Sequence, residues 1–89
     1  MKRPYLEITF RKGRPVAAYL YLPRAAGVRS ARTVEIRPTV LVDYAASGEA
    51  IGIELTAPNA VDSTLVNGVL AELGLPEVDP MDLLPLRAA

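Results

Sequence analysis

Four carboxylates fall in stretches whose alternation marks them as strands: Glu7, Glu35, Asp43 and Glu54. Two acids that converge in a cleft can share the work of proton transfer, one as acid and one as base. Acids on the polar side of a strand more often pair with a neighbouring base, and Arg37 is available for that. The structural reading is therefore preferred for all four. Histidine and cysteine are both absent, which removes the usual neutral-pH base, thiolate nucleophiles, disulfides and the commonest metal ligands. Ser30, Ser47 and Ser63 lie in no nucleophile-elbow sequence, and Gly48 and Gly52 form no phosphate-binding motif. The expectation is a protein that is not an enzyme and holds no cofactor and no metal.

Cations and aromatics offer binding chemistry instead. Arg24, Arg29 and Arg32 fall in one polar stretch and form the candidate anion-binding loop, with Arg11, Lys12 and Arg14 contributed by an earlier turn. Arginine grips phosphate and carboxylate through two parallel hydrogen bonds. Tyr19 and Tyr21, on a nearby strand, have the ring faces on which bases can stack. The formal net charge is zero and no RNA-binding signature is present, so a solvated loop is preferred over nucleic-acid binding. The charge is nonetheless lopsided. Residues 1–37 hold nine basic groups against Glu7 and Glu35, whereas residues 38–89 hold Arg87 against eight acids. Such a split can steer an acidic partner or favour head-to-tail self-contact, unless folding intermixes the halves.

The elements that must position these groups follow from hydrophobic periodicity. With 89 residues, 51% of them hydrophobic, the chain has room for one domain and enough apolar material for a core. Period-two alternation predicts strands over roughly 4–10, 15–22, 33–37, 39–44 and 50–56. Arg11-Lys12-Gly13-Arg14 reads as a hairpin turn, and Pro38 as a bulge, bend or exposed edge. Gly52 inside a strand predicts a bulge or the close approach of another segment. Val61, Leu65, Val69 and Leu73 share a helical stripe, so a helix is expected over roughly 60–73, capped by Asn59 and ended by Gly74. Gly68 within it suggests tight packing. The tail 75–89 holds one short helical turn from Asp79-Pro80 to Leu84, stopped by Pro85. The fold class is α+β: a small antiparallel β-meander of four to five strands with one C-terminal helix packed on one face.

One helix covers one face. The other presents Tyr19, Tyr21 and Leu41, which form the candidate dimer interface. A small domain gains burial by self-association, so a homodimer is expected; the alternative is that the tail folds back over the tyrosines. The N-terminus lacks a signal peptide's apolar run and no stretch reaches the roughly 20 apolar residues of a membrane span. A cytoplasmic location and no membrane partner are expected.

Residues 16–55 also carry a resemblance. Val16-Ala17-Ala18-Tyr19-Leu20-Tyr21-Leu22, Thr33-Val34-Glu35-Ile36 and the hairpin Val42-Asp43-Tyr44 through Gly52-Ile53-Glu54-Leu55 follow one another. Together they resemble a small prokaryotic family of uncharacterised proteins, the domain of unknown function numbered 2283. The family's aspartate before the tyrosine strand is Val16 here, and its acidic turn is Ala45-Ala46-Ser47. The resemblance implies a sheet plus helix with no established activity, and some relatives look like antitoxins. The function expected is thus a non-enzymatic protein-interaction module acting as a homodimer. An anion or nucleic-acid binder using the arginine loop is the alternative.

Overall fold

The structure, a computed structural model, describes residues 3–88. Met1, Lys2 and Ala89, which belong to the expected domain and its tail, lie outside the described residues. Five strands form one antiparallel sheet: β1 (Tyr5–Arg11), β2 (Arg14–Tyr21), β3 (Arg32–Arg37), β4 (Val40–Tyr44) and β5 (Ala50–Leu55). They are followed by a 3-10 turn at Pro58–Ala60, helix α1 (Ser63–Glu72), a second 3-10 turn at Pro80–Leu83 and helix α2 (Leu84–Ala88). The molecule is a small α+β fold. Among the described residues no helix is long and apolar enough to cross a membrane.

The sheet is not a simple meander. Its spatial order is β1-β2-β5-β4-β3, so a two-stranded hairpin and a three-stranded meander meet where β2 pairs with β5. The connection across residues 22–31 carries the chain to the far edge, and β4 and β5 then fold back toward β2. The last strand in sequence is consequently the central one. That position suits Ile51, Ile53 and Leu55, all fully buried.

The turns follow from local chemistry. Lys12 and Gly13 both have positive φ (52° and 76°), as a tight two-residue hairpin loop with right-handed strand twist demands. At the β3–β4 turn, Pro38 fixes its own φ and Thr39 adopts φ 68°, so the chain bends back here, just after a register irregularity between Glu35 and Arg37. Thr39 was expected in the strand. Its left-handed backbone excludes it. The alternation of β1 also breaks sooner than expected: register shifts between Thr9 and Phe10, and Phe10 is 57% exposed.

One hydrophobic cluster unites Ala18, Leu20, Leu22, Val40, Val42, Ile53 and Leu55 from the sheet region with Val61, Val66, Val69, Leu70, Val78, Leu83 and Leu86. Strand register places Leu20, Ile53 and Val42 in one row and Ala18, Leu55 and Val40 in the next. The same face therefore supplies both rows. The C-terminal segment contributes three members of this cluster, which corrects the alternative that it folds over the tyrosines.

The helix starts three residues later than expected. Pro58-Asn59-Ala60 forms the 3-10 turn, Val61 is extended and buried, and Asp62, not Asn59, accepts from the Leu65 N–H at 2.9 Å as the cap. Burial of Val61 requires that extended residue, so Asn59 is too far upstream to cap α1. Gly68 is exposed and nothing lies near the position a side chain would take, so the tight packing expected there is absent. Pro85 does not stop the last turn either. It occupies the second position of α2, where a missing N–H breaks no helical bond. Asn67 ties this segment to α1: its side chain accepts from the Val78 N–H at 2.8 Å and donates to the Val78 carbonyl at 3.2 Å.

Candidate functional site

Because successive strand residues point to opposite faces, the residues between the buried ones share the second face. Register then arranges them in two rows that cross all five strands. The first runs Tyr5, Tyr21, Gly52, Asp43, Thr33; the second runs Glu7, Tyr19, Glu54, Leu41, Glu35. Tyr5 is 54% exposed, Glu7, Thr33 and Glu35 are exposed, and Tyr19, Tyr21, Leu41, Asp43 and Glu54 are half-buried. All four strand carboxylates named from the sequence lie on this one open face. They are spread over four strands, β1, β3, β4 and β5.

Gly52 is the structural key to the first row. A Cβ placed there would overlap the hydroxyl and ring of Tyr19, so the tyrosine lies flat across the glycine backbone. This is the close approach that Gly52 implied, made by a side chain of the next strand. Lying there, Tyr19 reaches over β5 and donates its hydroxyl to Asp43 Oδ2 at 2.6 Å. Thr33 donates to Oδ1 of the same carboxylate. One acid thus fastens side chains from β2 and β3 across the sheet. Partial burial, followed by the bond to Asp43, pushes the Tyr19 phenol up to about 12. It is a fixed donor at any physiological pH.

Tyr21 extends the aromatic surface. Its ring centroid is 4.6 Å from that of Tyr19 and 5.5 Å from that of Tyr5, in tilted arrangements. Its hydroxyl donates to Glu7 Oε1 at 3.3 Å. Burial first and the Glu7 charge second raise its phenol above the ordinary value. The expected interface residues are therefore only partly together. Tyr19 and Tyr21 touch, whereas Leu41 sits beyond Glu54 in the second row, between two glutamates.

The arginines of the proposed anion loop do different things. Arg24 is half-buried, donates to the Ile51 carbonyl and places its guanidinium 5.5 Å from the Tyr21 ring centre. Arg32 lies 4.5 Å from the ring centre of Tyr44. Arg29 is exposed between them. Arg24 thus belongs to the rim of the tyrosine face, and Arg32 to the β3–β4 edge. Arg37, the base available to the strand acids, instead binds Glu72 of α1 at 2.7 Å. The register irregularity at the end of β3, which pairs Arg37 with Val40, turns it to the helical side. Sequence reasoning missed Tyr5 and the joint row of carboxylates. The alternation of β1 already put Tyr5 and Glu7 on one face, but the neighbours of that face depend on which strands pair.

No family model, no curated protein and no solved structure matches this chain.

Proposed function

We propose that this chain is a non-enzymatic protein-interaction module whose working surface is the tyrosine–carboxylate face of the sheet. In this reading α1 and the C-terminal turn segment are the chain's own cover for the apolar face, which leaves the second face for a partner. The observation that carries the reading is the pre-set order of that face. Tyr19 is locked over Gly52 by Asp43, and Tyr5 and Tyr21 continue an aromatic platform that the chain leaves accessible. Rigid tyrosines give large contact area at small entropic cost, which is why they dominate recognition surfaces. An antitoxin-like role, in which the module holds a second protein, is one form of this function.

A second copy of the chain, joined through Tyr19, Tyr21 and Leu41, remains one occupant of the face. Symmetric face-to-face pairing would, however, bring Glu7, Glu35, Asp43 and Glu54 against the same four acids. That favours a different protein. Photo-crosslinking in cells of the source organism tests the function, with a benzophenone side chain at position 21 or 41 and, as controls, at 10 or 81. Discrete adducts from 21 and 41 alone are expected. Adducts from all four positions, or from none, remove the reading. Adducts of twice the chain's mass identify a second copy.

A further inference from the structure

The partner's chemistry can be drawn from the second cross-sheet row, if the face is an interaction surface as proposed above. Glu7, Glu54 and Glu35 stand on β1, β5 and β3, every second strand of the sheet. Two strand spacings are about 9–10 Å, so the row is a regular series of three carboxylates. Tyr19 stands between Glu7 and Glu54, its ring leaning over Gly52 into the adjoining row, and Leu41 stands between Glu54 and Glu35. Asp43 adds a fourth acid in the adjoining row. The two described ion pairs, Arg3 with Asp82 and Arg37 with Glu72, involve none of these four, and the guanidinium of Arg24 stands at the rim beside Tyr21.

We infer that this face receives an extended, cationic segment of another protein, running across the strands, with arginine or lysine at every third residue. Two arguments select that partner. An extended left-handed polyproline-type segment has three residues per turn and rises about 9.3 Å per turn, so every third side chain faces the same way at the spacing of the glutamates. A helix returns a side chain to the same face only after seven residues and about 10.5 Å, which falls out of step with the row. The tyrosine rings beside the row, Tyr5, Tyr21 and Tyr19, suit arginine in particular, because guanidinium groups stack on tyrosine faces. The chain itself makes this contact twice, Arg24 with Tyr21 and Arg32 with Tyr44. Nucleic acid, whose phosphates would meet four carboxylates, is disfavoured on the same face.

The test is a titration of the full-length, isotope-labelled chain with a peptide of repeating Arg-Pro-Pro, followed by backbone amide shifts. Shifts along Glu7, Tyr19, Glu54, Leu41 and Glu35 are expected, with affinity falling tenfold or more in Glu54→Lys and severalfold in Glu35→Gln. Unchanged amides of Val66, Val69 and Leu70, buried in the core from α1, confirm that both variants fold. A peptide with the same arginines in adjacent positions should bind severalfold more weakly, and repeating Glu-Pro-Pro should not bind. Equal affinity for either arginine spacing overturns the register. Shifts confined to residues 22–31, or none at all, overturn the cationic partner. If, in that case, the face amides broaden with protein concentration alone, a second copy occupies the face and the interaction reading survives. If they do not, both readings fall.

Discussion

The two faces of the sheet are made by the same five strands, and they keep opposite company. On one face Leu20, Ile53 and Val42 are 0–1% exposed and join side chains from α1 and the C-terminal turns in a single cluster. One residue along each strand, Tyr19, Glu54 and Leu41 remain half-exposed, and their neighbours are carboxylates. The first face is held by non-directional burial, in which any lost volume leaves a cavity. The second is held by directional contacts, Tyr19 with Asp43 and Tyr21 with Glu7, and adds little apolar burial. Stability should therefore reside on one side and recognition on the other.

The sharpest way to break that comparison is to truncate one residue on each side. Ile53→Ala should lower the unfolding free energy by about 2–5 kcal/mol, whereas Leu41→Ala should cost about 1 kcal/mol or less. Denaturant midpoints decide it. Equal losses would mean that both faces act as core. Next in size is the attachment of the C-terminal segment. Asn67→Ala leaves the N–H and carbonyl of buried Val78 without their side-chain partner, which should cost about 1–3 kcal/mol and accelerate amide exchange over 78–86.

A smaller effect sharpens the account of the open face. Gly52→Ala drives Tyr19 off the sheet, with an expected loss of about 1–2 kcal/mol and of near-ultraviolet tyrosine dichroism. Adding Tyr19→Ala to that variant should make the second substitution cheaper than it is alone, as a double-mutant cycle would register. The smallest effect is alkaline. Tyr19 holds its proton to about 12 when folded against 10.0 as its ordinary value, so both states are protonated below pH 10. Between pH 10 and 12 the unfolded chain ionises first and stability declines as pH rises. Tyr19→Phe should flatten that decline, measured by denaturation across the window.

Much of each strand was legible from alternation alone. Alternation puts Ile51, Ile53 and Leu55 on one side of their strand, and all three are fully buried; Gly13, in the expected hairpin turn, has positive φ. Period two assigns a residue to a side of its own strand without reference to any other strand. What it cannot assign is the neighbour. Tyr19 and Gly52 each stand out in the sequence, but their contact needs β2 beside β5, a pairing 31 to 37 residues apart that the simple meander does not contain. The start of α1 was lost for a different reason. Asn59 and Asp62 are equally good caps by type, and burial of Val61 decided between them.

Charge shows the division most plainly. Composition determined that the chain has ten acids and ten bases and that the N-terminal part is basic. Yet Glu7 and Glu35, the only acids of that basic part, meet Asp43 and Glu54 of the acidic part on one face. The linear sequence sets which side chains share a side within each strand, because backbone pleating is local. Only the tertiary structure decides which strands lie side by side, because strand order is chosen by the total apolar surface the sheet can bury. The row of carboxylates is a product of that choice.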